Sequence, residues 1–203
     1  VYTNAYAGLF IDVQNLIPIA ESRDLYFHMG IAKTLKAYAM LVLVDVYGDM
    51  PYSQALDPTN FNPGLDDDQT IYAEAITLLD EAIADFQNQN RRSIPSVDLF
   101  YDGLSGADKE DAWIRAAKTF KLKAHLNMGD ASAFNALVAE GQIISSPAYD
   151  FTFSYSSNEV NPDSRHPNYG GNYDIDAGDY MSVGYMNILL NDKADDGFDM
   201  DPR

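Results

Sequence analysis

Tyrosine side chains are concentrated toward the C-terminal end of this sequence. Six of the 14 tyrosines lie between residues 149 and 185, and Tyr169, Tyr173 and Tyr180 stand among asparagine, aspartate and glycine. An aromatic face packs on the C–H face of a sugar ring, while short amide and carboxylate side chains exchange hydrogen bonds with its hydroxyl groups. The pattern therefore favours sugar binding, although some of these rings would also be expected in an ordinary core.

Other side chains capable of chemistry form no recognisable arrangement. The histidines His28, His125 and His166 are far apart, and none has a second ligand at the spacing of a metal site. The lack of cysteine excludes thiolate catalysis and cysteine-ligated metals within this chain. The acidic tail after Asp192 resembles a calcium loop, but Ala194 occupies a ligand position. We predict no cofactor and no metal, and an enzyme is the weaker interpretation.

Charge excludes two classes of partner. The sequence carries 31 acidic and 13 basic residues, a net charge of −18. Such a surface repels phosphate backbones and anionic lipid headgroups, so we expect no nucleic acid and no direct binding to a membrane. Five of the basic residues lie between Lys109 and Lys123. They form either a solvated helix face or a docking face for an acidic partner.

Five segments have the apolar spacing or the terminal signals of helices. They are residues 5–20, about 31–46, the stretch after the acidic run 66–68, the stretch from about 108 to 128, and the stretch that begins after Asp130 and ends before Pro147. The second half of the 31–46 helix is apolar nearly all round, which is typical of a helix inside a bundle. We assign its main stripe to Ile31, Leu35, Tyr38, Val42 and Val46. We expect the core to include Leu35, Val42, Trp113 and Phe120.

Two of these helices share a short sequence. Residues 32–36 read Ala-Lys-Thr-Leu-Lys and residues 117–121 read Ala-Lys-Thr-Phe-Lys, and each helix later ends in Gly-Asp. Helical hairpins that recur with small residues suggest degenerate tetratricopeptide-like repeats, with chance similarity as the alternative. The predicted fold class is therefore mainly α, built from antiparallel helical hairpins.

The character of the chain changes after Pro147. Phe151, Phe153 and Tyr155 alternate with serine and threonine, which predicts one short strand. Residues 156–180 have no periodicity, and a short helix is predicted at 181–190. We therefore divide the chain into a helical scaffold, 1–147, and a loop-rich extension, 148–203, with a long irregular region near the C-terminus.

The segment from Ala32 to Leu56 resembles the SusD/RagB family of outer-membrane nutrient-binding lipoproteins of Bacteroidetes. In that family a long helix rich in alanine, leucine and tyrosine runs into Asp-x-Tyr-Gly-Asp-x-Pro-Tyr, represented here by Asp45, Tyr47, Gly48, Asp49, Pro51 and Tyr52. Weaker similarities agree in order along the chain, namely an upstream Tyr6 and Asn15, the helix with Trp113, and the closing sequence Asp201-Pro202-Arg203.

The resemblance implies a function and a location. Family members bind oligosaccharides, or peptides in the RagB branch, without catalysis, and they act with a SusC-like TonB-dependent transporter. They lie on the cell-surface side of the outer membrane and contact it only through a lipid anchor on a cysteine that this chain lacks. They are also considerably longer, so the chain looks like their central helical section. Two other interpretations stay open: a helical-repeat protein-interaction scaffold and an α-helical carbohydrate-active enzyme.

The resemblance also suggests roles for individual residues. We expect Asp45, Gly48, Asp49, Pro51 and Tyr52 to be structural, because such a motif turns the chain off a buried helix, with Asp49 able to cap backbone N–H groups and Pro51 fixing φ. Ligand contacts are expected from exposed rings on loops, with amides as hydroxyl partners. The candidates are Tyr101 in the loop 93–106, and Tyr155, Asn168, Tyr169, Asn172 and Tyr173 in the region 147–180.

Overall fold

The chain folds into helices joined by loops. The computed structural model describes residues 2–92, 94–159, 163–169 and 183–189. Its elements are α1 (Tyr2–Asn4), a π-helical turn (Ala5–Phe10), α2 (Ile11–Glu21), α3 (Tyr26–Tyr47), α4 (Asp68–Phe86), α5 (Gly106–Asn127), α6 (Ala131–Glu140), a 3-10 turn (Pro147–Tyr149), α7 (Pro167–Tyr169) and α8 (Val183–Leu189). Within these described ranges there is no strand, so the predicted mainly helical fold is confirmed.

Contacts along α3 and α4 show that the two helices run in opposite directions. Lys33, early in α3, pairs with Asp85 at the end of α4, whereas Asp45, late in α3, accepts a hydrogen bond from Tyr72 at the start of α4. Gly30 lets the helices approach, since a Cβ there would stand 2.6 Å from the ring of Phe86. These helices form the first antiparallel hairpin, as predicted.

The helix α5 runs antiparallel to α4 and parallel to α3. The ring of Trp113 stacks on Phe86 with centroids 5.9 Å apart, and Lys121 pairs with Asp80 one to two turns earlier in α4. The turn between α5 and α6 follows the predicted Gly-Asp sequence. Gly129 adopts φ +72°, and Asp130 caps α6 by accepting the N–H of Ala133 at 3.0 Å. The helices α5 and α6 therefore form a second hairpin.

The buried face of α3 differs from the predicted stripe. Tyr38 and Val46 are 41% and 69% exposed, and Leu35 and Val42 are only half-buried. The side that faces the core instead carries Phe27, Gly30, Thr34, Ala37, Met40, Leu41 and Val44. Spacing could not select this face because the helix is apolar nearly all round. Small residues determine which face of α3 is buried, because they allow α4 to approach closely.

The predicted strand around Phe151 is also wrong. Phe151 stacks on Phe100 with centroids 4.1 Å apart, and its edge meets Phe120 at 5.2 Å. The alternation of aromatic residues therefore reflects an aromatic cluster and not a sheet. Trp113 lies in the same cluster and is 1% exposed, so Trp113 and Phe120 are core residues as predicted. Contacts divide the chain into two compact units, residues 1–153 and 154–203.

Candidate functional site

A hydrogen-bonded junction follows the end of α3. Gly48 stops the helix with φ +68°, a conformation that favours glycine, and its N–H still bonds to the carbonyl oxygen of Val44. One residue later, the carboxylate of Asp49 accepts the N–H of Asp68 at 3.1 Å, at the beginning of α4. Negative charge at this position is favourable because the first amides of a helix have no partners within the helix.

Asp45 joins three helices through one carboxylate. It accepts hydrogen bonds from the hydroxyl of Tyr72 at 2.5 Å and the amide of Asn127 at 2.8 Å, and it pairs with Lys123 at 2.7 Å. Partial burial opposes its charge, but the bonds from Lys123, Tyr72 and Asn127 outweigh it and lower the pKa of Asp45. The contacts of Asp45 are thus those of a residue that holds the two hairpins together.

The loop after α3 is closed at its base. Met50 and Asp66 exchange backbone hydrogen bonds of 3.1 and 3.0 Å, and the hydroxyl of Tyr6 donates to the carbonyl oxygen of Pro51. The carboxylate of Asp66 also accepts the N–H groups of Tyr52 and Ser53 at 2.8 and 2.9 Å. These bonds fix the position of Tyr52 relative to the helices.

A polar cleft lies between α2, α3 and this loop. It has a volume of about 450 Å³. We call it the Lys36 cleft, and its lining residues are Gln14, Lys36, Tyr52, Ser53, Leu56, Asp57 and Pro58. It thus combines one aromatic ring with a cation, an amide, a hydroxyl and a carboxylate. This combination, in a concave site, can hold a small polar ligand such as a sugar.

Tyr52 connects the cleft to the core. Its ring meets Phe10 edge-on at 6.3 Å, and the ammonium of Lys36 lies 5.0 Å from its centroid. Burial raises the pKa of the Tyr52 hydroxyl, so the hydroxyl stays protonated at working pH. At the other side of the cleft, Asp57 accepts the N–H and the hydroxyl of Thr59 at 2.8 and 2.7 Å.

Among the described residues, Lys36 has no anionic partner in hydrogen-bonding range. Burial lowers the pKa of its ammonium, and Glu74 and Glu81, acting from a greater distance, raise it by less. Within the described ranges, Lys36 is the one lysine whose ammonium contacts no oxygen atom. The other five contact carboxylates, amides or carbonyls, and they are Lys33, Lys109, Lys118, Lys121 and Lys123.

The basic residues from Lys109 to Lys123 are neither a solvated face nor a docking face. Lys109 is 1% exposed and donates to the carbonyl oxygens of Pro95 and Ser96 at 3.1 and 3.4 Å. The other four pair with carboxylates of this chain: Arg115 with Asp111, Lys118 with Glu140, Lys121 with Asp80, and Lys123 with Asp45. Their charges are therefore used inside the fold.

Tyr101, predicted to be an exposed ring, is buried. Tyr101 is 4% exposed, its ring meets Trp113 edge-on at 5.4 Å, and its hydroxyl donates to the carbonyl oxygen of Tyr149 at 3.1 Å. The loop folds inward because Asp98 accepts the indole N–H of Trp113 at 2.7 Å and the backbone N–H of Tyr101 at 2.9 Å. Expecting an exposed ring on this loop was wrong.

Three other predicted residues lie in what we call the tyrosine segment, residues 154–159 and 163–169. Tyr155 and Tyr169 are 47% and 45% exposed, and Asn168 is exposed as well. The ring of Tyr155 lies 4.7 Å from that of His166, and the guanidinium of Arg165 lies 5.3 Å from the ring of Tyr169. Asn172 and Tyr173 lie outside the described residues, as does the acidic tail from 192 onward.

Two other kinds of site are absent from the described part of the chain. No group of histidine, aspartate and glutamate side chains there could hold a metal ion. No helix there is both long and apolar enough to span a bilayer. The Lys36 cleft therefore stands as the candidate site that the geometry supports best, and sequence reasoning missed it. The one sequence feature that pointed to Lys36 was the sequence shared by α3 and α5, which places Lys36 and Lys121 at equivalent positions.

Comparison with solved structures shows what the fold is similar to. A SusD/RagB family protein from Bacteroides thetaiotaomicron is 25% identical, with a TM-score of 0.70, over 94% of this chain and 40% of that one. A SusD-like protein from Bacteroidetes, 20% identical, has a TM-score of 0.74 over 100% and 38% of the two chains. A chitin-binding SusD homologue from Flavobacterium johnsoniae, 18% identical, has a TM-score of 0.64 over 80% and 34%.

The chain thus spans about two fifths of the length of such relatives. Among curated proteins, no sequence matches it significantly. A family model, described as SusD-like and starch-binding, associating with the outer membrane, matches residues 1–191. This match covers most of the chain and agrees with the shared fold. The chain belongs to the SusD-like family.

Proposed function

We propose that the protein to which this chain belongs binds nutrient glycans at the cell surface, without catalysis, and delivers them to a SusC-like TonB-dependent transporter. Membership of a family described as starch-binding and associated with the outer membrane supports the glycan and the location. A lipid anchor outside this chain would hold the protein to the membrane. A peptide ligand, as in the RagB branch, is the alternative cargo.

The observation that carries the proposal is the Lys36 cleft. Its loop is fixed by the contacts of Asp66, so the ring of Tyr52 and the polar groups are held in place before a ligand arrives. Preorganisation of this kind lowers the entropic cost of binding. We assign the ring of Tyr52 to stacking on a sugar face, and Gln14 and Asp57 to hydrogen bonds with hydroxyl groups.

The tyrosine segment is a second candidate for ligand contact. Tyr155 and Tyr169 are about half exposed and Asn168 is exposed, which fits the stacking and hydrogen bonding expected of them. Asn172 and Tyr173 belong to the same proposal. We rank this segment second, because in the Lys36 cleft a ring and several polar groups line one cavity whose loop is held by the hydrogen bonds of Asp66.

Titration of the full-length protein with a panel of neutral and acidic oligosaccharides tests the proposal. We expect at least one glycan to bind, and the double variant Gln14→Ala with Asp57→Ala to weaken it about tenfold or more, or about 1.4 kcal/mol. The double variant Tyr155→Ala with Tyr169→Ala is the matched control and should change affinity less. Absence of binding to every glycan, or binding insensitive to the cleft variant, would contradict the proposal.

Delivery to a transporter needs a separate measurement. We expect the full-length protein to co-purify with the TonB-dependent barrel encoded beside it. Hydrolysis of any bound glycan by the purified protein would instead favour the interpretation as a carbohydrate-active enzyme. Co-purification with soluble proteins alone would favour a protein-interaction scaffold.

A further inference from the structure

The two helices with the shared sequence make the same contacts at two positions. Lys33 of α3 pairs with Asp85 and Glu81 of the next helix, and Lys118 of α5 contacts Glu140 of α6 and nearby Gln142. At the following position, the hydroxyl of Thr34 donates to the carbonyl oxygen of Gly30 at 2.8 Å, and that of Thr119 to Arg115 at 2.7 Å. The shared sequence is therefore a structural repeat.

The third shared polar position breaks the pattern. Lys121 pairs with the carboxylate of Asp80, whereas Lys36, its counterpart, contacts no carboxylate within the described ranges. This difference is unexpected in a chain with 31 acidic residues and only 13 basic ones. Lys36 is only partly buried, so partial loss of hydration, and not full burial, opposes its charge.

The carboxylates near Lys36 compensate its charge only in part. Glu81 is already in contact with Lys33 at 3.0 Å, and Glu74 acts only from a distance. Asp57 is the one carboxylate of the cleft lining, and its hydrogen bonds go to Thr59. The charge of Lys36 is thus left available to whatever occupies the cleft.

We propose that the Lys36 cleft binds a carboxylate-bearing sugar, a uronic acid unit of an acidic oligosaccharide, whose carboxylate occupies the position that Asp80 has beside Lys121. The inference rests on the proposed function, because it names the class of glycan for that site. A neutral sugar would offer only hydroxyl oxygens to Lys36. A hydroxyl also accepts a charge-assisted hydrogen bond from the ammonium, but only a carboxylate adds the attraction of an opposite charge, so an acidic sugar compensates the partial burial of Lys36 better.

The rest of the cleft favours a sugar over a free peptide carboxylate. The ring of Tyr52 offers a flat apolar face, and Gln14, Ser53 and Asp57 offer short polar groups at the rim of a cavity of about 450 Å³. A pyranose can pack a C–H face on the aromatic ring and exchange hydrogen bonds with the polar groups through its hydroxyls. A peptide C-terminus would use the ammonium, but only a peptide with an aromatic residue or proline near its end would also place a ring on Tyr52.

The test compares an acid with its own neutral ester. Oligomers of galacturonate, glucuronate and mannuronate, and the methyl ester of each, are titrated into the full-length protein at moderate salt. We expect at least one acid to bind tenfold or more tightly than its ester. Lys36→Met should remove the preference, Lys36→Arg should retain it, and Lys121→Met, the matched control in the second repeat, should leave it unchanged. Thermal unfolding of each variant verifies that the fold is intact.

The outcomes separate this inference from the proposed function. Equal affinity for acid and ester, or binding of neutral glycans alone in the cleft, would overturn the inference and leave glycan binding intact. Stronger binding of a peptide with a free C-terminal carboxylate than of any uronate would overturn both the sugar class and the glycan function. Binding of no glycan of any charge would overturn both as well. A preference for acid that survives Lys36→Met would show that Lys36 does not cause it.

Discussion

The two helical hairpins of this molecule share a sequence but use it differently. In both, the first lysine of the shared sequence pairs with an acidic residue of the following helix, and the threonine bonds back to the preceding turn. In the second hairpin the last lysine, Lys121, is also paired, whereas in the first hairpin its counterpart, Lys36, faces a polar cleft and forms no ion pair with the described residues. The contacts common to both hairpins are therefore structural, whereas the side chain of Lys36 is available to a ligand.

The two hairpins bury their predicted core residues to different extents, and truncation to alanine should show this difference in the free energy of unfolding. Trp113→Ala should lower the free energy of unfolding by about 4 kcal/mol, because it empties a fully buried site and leaves Asp98 without its indole donor. Leu35→Ala should cost about 1–2 kcal/mol, since Leu35 is only half-buried. Denaturant titration measures both values, and equal losses would mean that α3 buries the face predicted from spacing.

The paired lysines should differ in importance. Lys33→Met leaves Asp85, which is 8% exposed, without its cation and should cost about 3 kcal/mol. The equivalent Lys118→Met should cost about 1 kcal/mol, because its partner Glu140 is half exposed and remains solvated. Urea unfolding at neutral pH distinguishes the two. A larger loss for Lys118→Met than for Lys33→Met would show that the burial of the acidic partner does not determine the difference.

Asp45 connects the hairpins, and its contribution should depend on pH. The pKa of Asp45 is lowered in the folded state, so its charge stabilises the fold above the usual carboxyl pKa near 4, and this stabilisation is lost as pH falls through the lowered value. We expect Asp45→Asn to cost about 1–2 kcal/mol at pH 7, and progressively less below about pH 4. A difference that is constant from pH 7 to pH 3 would contradict the assigned ion pair.

The last lysines of the shared sequence should have the smallest effects on stability. Lys121→Met should cost about 0.5 kcal/mol, since Asp80 is largely exposed. Lys36→Met should cost nothing or slightly stabilise the protein, because burial already disfavours the ammonium. The two melting curves, recorded at equal concentration and neutral pH, make the comparison. A clear destabilisation by Lys36→Met would indicate a structural role.

Local signals predicted much of the fold. Asp67 and Asp130 cap α4 and α6 with the side-chain bonds expected of such residues, and Gly129 makes the turn between α5 and α6. What failed depended on packing between distant segments. The face of α3 follows from the approach of Gly30 to Phe86, and the burial of Phe151 from its stacking on Phe100. Neither contact leaves a periodic pattern in the sequence.

The candidate site was less accessible to prediction. The motif around Gly48 was visible, but the cleft forms only when the loop from Met50 to Asp66 closes against α2 and α3. The pairing of Lys121 and the unpaired state of Lys36 depend on side chains far away in the sequence. Composition instead drew attention to tyrosines, of which Tyr101 proved to be core.

A crystal structure of the full-length protein with a bound oligosaccharide tests the central claim most directly. Crystals are soaked with the tightest ligand of the titration panel, and the position of the sugar is read from the electron density. The account predicts a sugar ring on Tyr52 with a carboxylate oxygen about 2.8 Å from the ammonium of Lys36. A ligand bound elsewhere, for example on Tyr155 and Tyr169 with the Lys36 cleft filled only by water, would contradict it.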